Sequence, residues 1–416
     1  MYILIFLGIM ICICMICKKY LIGLCLIIGF VMLFIYYRST RHTLNKTVND
    51  IIIKQIQTHN EYDKKENADT LVCILATYHI FSYFQYVFPV WKNFCEMYNY
   101  DLYISTDKYT DELPVEFNKI YMLLDKCKTT NYKYVIFVDA DTIPVNESFR
   151  FEKYTADLKD DKLIIMAEDV YNNECQPTKN WKLGKHEGMC LPNTGIIIVK
   201  NTPQSINILE EWIKSSFGEC KQYTTTHPND QLVLWYCVFP TYGNNFKIVS
   251  NSEFNSVNNA NIVHLMAMNT SSRIKNIIKL RDKTVNIPKV IHKIGTMNKT
   301  YQKDGYTYML WDEKSIRDLI SKKFHWFLNI YDKQPNKHNL DKYFILYEYG
   351  GIYTENDCPK NLFELVPQHT VTIIDDGKII VSPKYDSYWI YVWEKILHPQ
   401  ISINSKYINV IQKNNL

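Results

Sequence analysis

The chain has 416 residues, of which 47% are apolar, 14% aromatic and 22% charged, and this composition excludes a wholly disordered protein. At roughly 150 residues per domain, the length predicts two to three domains. Lysine and arginine number 47 against 43 acidic residues, but the excess lies in residues 1–50. Residues 51–416 are therefore neutral overall, which argues against a nucleic-acid-binding protein.

The apolar N-terminus predicts a membrane anchor. Residues 20–37 form an uninterrupted apolar run, and a helix of that length reaches about 27 Å, close to the hydrocarbon thickness of a bilayer. Residues 2–17 are also apolar, and the sequence leaves open whether they form a second span. Basic residues flank the 20–37 run on both sides. The positive-inside rule therefore favours a cytosolic position of the C-terminal body only weakly, and the sequence does not decide on which side of the membrane that body lies.

Residues 38–69 are polar and charged, which predicts a stem or linker before a folded body that starts near Thr70. The body alternates short apolar runs with amphipathic segments, the pattern of an α/β fold with a mostly parallel sheet. The predicted strands are residues 71–76, 102–105, 134–138, 163–167, 196–199 and 262–265. The predicted helices are residues 81–98, one opened by Pro114, one capped by Thr202-Pro203, and residues 232–238.

The first candidate motif is Asp139-Ala-Asp141, directly after the predicted strand 134–138. Ligands of parallel α/β sheets bind at the carboxyl ends of strands. Two carboxylates leaving such an end can bind a hard divalent cation, and that cation would stabilise a diphosphate leaving group. The alternative is a loop whose aspartates cap a turn.

Three further motifs follow along the chain. Asn193-Thr194-Gly195 precedes a predicted strand. Its asparagine and threonine could donate hydrogen bonds to a ligand, and its glycine would let the backbone approach that ligand closely. The alternative is a turn that starts the strand. Asp230-Gln231 opens a predicted helix. These residues could cap the helix, or they could place a carboxylate and an amide beside a reacting sugar carbon. His264 ends a predicted strand; a packed histidine is the alternative to a third metal ligand.

Twelve cysteines are present, and the eight after residue 50 contain no CxxC pair, which argues against a zinc ribbon or a thioredoxin-type site. Pairings of Cys175 with Cys190, or of Cys190 with Cys220, are candidate disulfides if the body is lumenal. Buried free thiols are the alternative.

Taken in order, these motifs resemble the nucleotide-sugar-dependent galactosyltransferase and α-mannosyltransferase family that includes yeast Golgi enzymes and plant xylosyltransferases. The matching run comprises 117–120, Asp139-Ala-Asp141, 193–195, Asp230-Gln231 and His264, within about half of the chain. The resemblance implies a GT-A fold, a Rossmann-like α/β sheet, in a Golgi, ER or other endomembrane. It also implies transfer with retention of anomeric configuration, by front-face or by double displacement.

The resemblance also implies roles for individual residues. Asp139, Asp141 and His264 would hold Mn²⁺ or Mg²⁺ under the donor diphosphate. Asp230 and Gln231 would lie near the anomeric carbon. The remaining residues implied to bind the donor, from nucleotide to sugar, are Ala76, Thr77, Tyr78, Lys119, Asn193, Thr194 and Gly195.

The C-terminal portion resembles the initiating α-1,6-mannosyltransferase and capsular-polysaccharide transferase family, with its DxD sugar-binding region. The pattern departs from that family at three positions, where Asn339 replaces Asp, Lys342 replaces Arg and Glu355 replaces the first metal carboxylate. Glu355 and Asp357 are the candidate metal ligands of this second module. Lysine cannot form the two-pronged contact of arginine, so we expect an accessory or degenerate module here, and a second active transferase is the alternative. The stretches that carry the resemblance are 287–292, 310–312 and 341–357.

We therefore expect a membrane anchor, a stem at 38–69, a GT-A module at 70–285 and a smaller GT-A-like module at 286–416. The first module would move a hexose or pentose from a UDP- or GDP-sugar to a hydroxyl of a glycan, glycoprotein or glycolipid, with no nucleic acid as partner. A membrane-tethered, carbohydrate-binding pseudoenzyme is the alternative. A transporter is disfavoured because no apolar run of adequate length follows residue 37.

Overall fold

The computed structural model describes residues 29–32, 48–156, 161–171, 174–175, 190–257, 260–356, 358, 362–398 and 408–411. Among these residues, no helix is both long enough and apolar enough to cross a membrane. The predicted spans lie outside the described residues except for 29–32. The chain divides into two compact units, residues 1–51 with 391–403 and residues 52–390 with 404–416. The β-sheets and the candidate motifs belong to the second unit.

The predicted α/β character is confirmed, since strands and helices alternate along the unit. The strands are β1 Thr70–Leu75, β2 Asp101–Ser105, β3 Tyr134–Val138, β4 Thr142–Pro144, β5 Ile164–Glu168, β6 Val170–Tyr171, β7 Glu174–Cys175, β8 Pro192–Lys200, β9 Phe246–Val249, β10 Phe254–Ser256, β11 Ile262–His264, β12 Val290–Ile294, β13 Lys299–Lys303, β14 Tyr306–Trp311, β15 Gly351–Thr354, β16 Val371–Ile374, β17 Ile379–Ser382 and β18 Ile408–Ile411. The α-helices that follow Thr70 are Phe81–Met97, Asn118–Thr129, Glu152–Thr155, Pro203–Phe217, Asn229–Val233, Phe239–Tyr242, Thr270–Thr284, Glu313–Lys323, His325–Lys333, His338–Tyr349, Leu362–Leu365 and Tyr388–Leu397.

The first sheet has six strands in the order β2-β1-β3-β8-β5-β9. The predicted mostly parallel sheet is mixed, because β8 runs antiparallel to both of its neighbours, β3 and β5. The direction of a strand is not encoded in its apolar pattern, so the sequence could not show this reversal. Helices Asn118–Thr129 and Pro203–Phe217 contribute to the apolar core that covers one face.

A small second sheet, β10-β11-β4, continues from the first. Strand β4 begins one residue after Asp141 and pairs antiparallel with β11, so that Thr142 lies opposite His264. This register carries a residue distant in sequence to the carboxyl end of β3. A further seven-stranded sheet, β13-β14-β12-β15-β17-β16-β18, is built from the C-terminal portion.

The segment expected to be a linker is partly built into the body. Residues 52–62 are helical and lie along β2, the edge strand of the first sheet. The Asn60 amide donates to the Ile104 carbonyl at 2.7 Å and accepts from the Ile104 N–H at 3.1 Å. The His59 Nε2 donates to the Leu102 carbonyl at 2.9 Å. Side chains therefore satisfy backbone groups that an edge strand leaves open.

Cys220 forms a disulfide with Cys237, so the pairing of Cys190 with Cys220 is wrong. The bond joins Cys220, which follows helix Pro203–Phe217, to the π-helix Leu234–Val238, two segments that the sequence spacing did not connect. Cys190 is also disulfide-bonded. Among the described residues, Cys73, Cys95 and Cys127 are buried free thiols.

Candidate cation and donor site

Two carboxylates leave the carboxyl end of β3, as the sequence predicted. The Asp139 N–H donates to the Gly195 carbonyl of β8 at 2.8 Å, and the Asp139 carbonyl accepts from the Thr142 N–H at 3.0 Å. These bonds fix the turn between β3 and β4 and leave the side chains of Asp139 and Asp141 on the same side of it.

His264 completes this pair, because the β4–β11 register places it beside the turn. Its Nε2 lies 3.3 Å from Asp141 Oδ1 and 3.6 Å from Asp139 Oδ2. One ligand atom from each of the three residues lies within 4.8 Å of the others, so the group could hold a divalent metal ion. The His264 Nδ1 donates to Asn255 Oδ1 at 2.7 Å, which leaves Nε2 as the ligating nitrogen.

The electrostatics of the group suit a cation. Burial alone would raise the pKa of the Asp141 carboxyl, but His264 and Arg273 outweigh it and hold that pKa below its usual value. Burial disfavours the charged form of His264, yet the carboxylates of Asp141 and Asp139 raise its pKa. Asp141 therefore keeps its negative charge in a largely desolvated place, whereas burial raises the pKa of the neighbouring Asp139 carboxyl. A divalent cation bound between them would favour the charged form of both carboxylates.

Gly195 makes room for the imidazole. A Cβ at this position would lie 2.3 Å from His264 Cε1 and 2.6 Å from its Nδ1, well inside van der Waals contact. The glycine of the Asn193-Thr194-Gly195 motif is thus required by the close approach of β8 to a metal-ligand candidate. The motif lies within β8, and not before the strand as expected.

We expect Gly195→Ala to lower the affinity of the chain for Mn²⁺ by roughly 10- to 100-fold, the range seen when the support of a metal-ligating histidine is disturbed. The measurement is a Mn²⁺ titration followed by electron paramagnetic resonance of the free ion. Gly295→Ala is the matched control, since a Cβ there meets no atom within 4 Å. Unchanged Mn²⁺ affinity in Gly195→Ala would contradict the assignment of His264 as a ligand.

Lys119 links the cation group to the Asp230-Gln231 motif. Its Nζ lies 3.2 Å from Asp230 Oδ2 and 3.7 Å from Asp139 Oδ1. It also donates to the carbonyl and the hydroxyl of Thr194, both at 3.4 Å. Burial works against the ammonium, but Asp139 and Asp230 outweigh it and raise the pKa of Lys119. The lysine is therefore a permanent charge held between two carboxylates.

Asp169 belongs to the site although the sequence analysis did not select it. Its two oxygens accept from the Asn193 amide at 2.9 Å and from the Gln231 amide at 3.2 Å. The Gln231 Oε1 in turn accepts from the Thr194 N–H at 2.9 Å. Burial raises the pKa of Asp169 in spite of these donors. A signal existed, because Asp169 directly follows the apolar strand β5, as Asp139 follows β3.

Asn255 and Arg273 are further site residues that the sequence did not indicate. Arg273 Nε lies 3.0 Å from Asp141 Oδ2 and donates to the Leu265 carbonyl at 3.2 Å. Neither residue falls in a pattern that marks a ligand, since Asn255 sits in a loop-flanked strand and Arg273 in a helix with several basic residues.

Ala76, Thr77 and Tyr78 leave the same edge of the sheet as the carboxylates, because Ile74 of β1 lies opposite Val138 of β3. Ala76 is buried, whereas Tyr78 is 47% exposed. Their contact with a nucleotide stays a prediction.

In the C-terminal portion, the structure brings the separate stretches of the second resemblance together. The buried His292 donates from Nε2 to the Gly350 carbonyl at 2.8 Å and accepts from Trp311 Nε1 at 3.1 Å. Burial lowers the pKa of His292 to about 4. Glu355 is exposed after β15, and Asp357 lies outside the described residues. The described part of the chain holds one cluster with metal-ligand geometry, that of Asp139, Asp141 and His264.

Two family models match the chain. Residues 119–307 match "Nucleotide-diphospho-sugar transferase", and residues 287–372 match "Glycosyltransferase sugar-binding region containing DXD motif". Among curated proteins, inositol phosphoceramide mannosyltransferase 3 of Schizosaccharomyces pombe is 35% identical over 97 residues, which cover 19% of this chain and 27% of that protein. The mannosyl phosphorylinositol ceramide synthase CSH1 of Saccharomyces cerevisiae is 33% identical over 97 residues, which cover 19% of this chain and 26% of that protein. The chain thus spans about a quarter of the length of these relatives.

Two solved glycosyltransferase structures are also similar to part of the chain. One is involved in glycosylation of the major capsid of PBCV-1, at 14% identity and a TM-score of 0.40, covering 50% of this chain and 98% of that one. The galactosyltransferase LgtC is 12% identical with a TM-score of 0.34, and the match covers 52% of this chain and 97% of the LgtC chain. The predicted family resemblance is confirmed by these matches: a nucleotide-diphospho-sugar transferase match is followed along the chain by a DXD sugar-binding match, and the named curated relatives are mannosyltransferases or mannosyl-lipid synthases.

Proposed function

We propose that the chain is a Mn²⁺- or Mg²⁺-dependent retaining glycosyltransferase that moves a hexose or pentose from a UDP- or GDP-sugar to a hydroxyl of a glycan, protein or lipid. The observation that carries this proposal is the convergence of Asp139, Asp141 and His264 with Asp230, which shares the Lys119 ammonium with Asp139. Carboxylate oxygens are the preferred ligands of Mn²⁺ and Mg²⁺. When bound, such a cation supplies Lewis-acid stabilisation of a diphosphate leaving group.

The residues around Lys119 support the proposal that the sugar of the donor binds beside this lysine. Asp230 is buried and held by the Lys119 ammonium, while its carbonyl accepts from Trp212 Nε1 at 3.0 Å. Its side chain is thus fixed in place beside an ammonium, and a carboxylate held in this way could stabilise positive charge at an anomeric carbon. Asp169 and Gln231 form the next polar group, with oxygens and amide hydrogens suited to sugar hydroxyls. Retention of configuration is inferred from the family resemblance.

The names of the curated relatives favour mannose among the possible sugars, and a phosphoinositol-containing sphingolipid among the possible acceptors. A lipid acceptor is compatible with the proposed membrane anchor at 20–37, in an endomembrane of Golgi or ER type. We also infer a GT-A module at 70–285 and an accessory module at 286–416, since each of the two larger sheets lies on one side of that boundary.

The test uses the full-length chain in detergent with Mn²⁺ and a panel of UDP- and GDP-sugars, with GDP-mannose first. We expect donor hydrolysis, or transfer to an added lipid or glycan, that stops on addition of EDTA and returns with excess Mn²⁺. Turnover that persists in EDTA would contradict the metal dependence. Binding of nucleotide sugar without turnover across a broad acceptor panel would instead support the carbohydrate-binding pseudoenzyme.

A further inference from the structure

Arg273 is placed beside the candidate cation group by the helix Thr270–Thr284, which begins after the N-cap Asn269. One edge of its guanidinium is already used, since Nε contacts Asp141 Oδ2 at 3.0 Å and the Leu265 carbonyl at 3.2 Å. The Cζ atom lies 5.0 Å from the centre of the Tyr83 ring. The guanidinium is therefore held in a fixed plane next to a candidate metal ligand.

The Nη edge of the same group makes no hydrogen bond with the described residues. The contacts that the described residues make with the Arg273 guanidinium nitrogens run through Nε, no hydrogen bond of either Nη is found among them, and the side chain is 17% exposed. Such an arginine is held in place through its Nε atom. Its two Nη groups can then donate two parallel hydrogen bonds to an anion.

Lys119, the other cation of the site, does not offer such free donors. Its ammonium is surrounded by Asp230, Asp139 and Thr194, so its three hydrogens are directed to protein atoms. The two cations thus differ in kind, because Lys119 joins protein carboxylates while Arg273 keeps donors for a ligand.

We propose that the two Nη groups of Arg273 bind the diphosphate of the nucleotide-sugar donor. The proposal deepens the proposed function and rests on it. Asp141, which Arg273 contacts, is a candidate ligand for the cation that would neutralise that diphosphate, so both positive groups converge on one anion. The fork takes oxygens of the β-phosphate, which a nucleoside monophosphate lacks, so Arg273 discriminates between nucleoside diphosphates and monophosphates.

The test is calorimetric titration of the full-length chain, at saturating Mn²⁺, with GDP, UDP, GMP and UMP. We expect Arg273→Gln to weaken binding of the diphosphate that the wild type prefers by roughly 10- to 100-fold, the range for a lost charged hydrogen bond. Binding of the matching monophosphate should change by far less. Arg273→Lys should fall between, since it keeps the charge and loses the fork.

Lys279→Gln is the matched control, since Lys279 is exposed on the same helix. Mn²⁺ affinity without nucleotide is measured for each variant, because Arg273 also contacts Asp141. Equal loss of diphosphate and monophosphate binding in Arg273→Gln would show that the residue acts only through the cation group, and would overturn the proposal. Failure of the wild type to bind either diphosphate would overturn the proposed function itself.

Discussion

Asp139→Asn is expected to lower sugar transfer by about a thousandfold or more, because electrostatic stabilisation of a leaving group by a bound cation contributes several kcal/mol to catalysis. The substitution keeps the shape of the side chain and the backbone bond to Gly195. It removes the charge that faces His264 at 3.6 Å and Lys119 at 3.7 Å. The measurement is the initial rate at saturating donor and Mn²⁺.

Glu355→Gln is the matched control in the C-terminal sheet, where the carboxylate is exposed. We expect this variant to keep most of the transfer activity, and both variants to retain the wild-type circular dichroism spectrum. If Glu355→Gln were inactive while Asp139→Asn worked normally, the transferase site would have to be reassigned to the second module.

Arg281→Met is expected to destabilise the chain by roughly 3–5 kcal/mol, the cost of leaving one partner of a buried ion pair alone. Arg281 Nη2 lies 2.5 Å from Asp386 Oδ2, and each side chain is 7% exposed. Without the guanidinium, the Asp386 carboxylate would retain the Tyr388 N–H at 2.8 Å and no comparable counter-charge among its described contacts. The free energy of unfolding in denaturant measures the loss.

Two further variants separate this charge effect from lost packing. Replacing both partners, as Arg281→Met with Asp386→Leu, should recover much of the stability, because no buried charge then remains. Arg317→Met breaks the exposed ion pair with Asp332 and should change stability little. If the double variant lost the sum of the two single losses, the pair would contribute nothing through its charges.

The sequence identified residues whose position follows from strand order. Asp139 and Asp141 were found because they follow an apolar run, and the resemblance added His264. The pairing of β4 with β11, which makes the three residues neighbours, is a tertiary fact that no local pattern contains. The same applies to the Arg273–Asp141 contact, which joins a helix to a turn 132 residues earlier.

Other elements were missed because a correct local pattern has more than one tertiary outcome. Strand β8 was expected from its apolar run, yet its antiparallel direction, and the inclusion of Asn193-Thr194-Gly195 within it, depend on its neighbours. Asp169 carried the same signal as Asp139, a carboxylate after a buried strand. It was passed over because no second acidic residue follows it at the DxD spacing.

The Asn60 side chain pairs with both backbone groups of Ile104 on the edge strand β2, and the consequence concerns self-association. An open strand edge is a template for intermolecular β-pairing and aggregation. A fragment cut at Thr70 would contain every strand of the first sheet and still expose this edge to other molecules. Fragments for recombinant expression should therefore begin no later than residue 52, so that the helical residues 52–62 remain hydrogen-bonded to the edge strand β2.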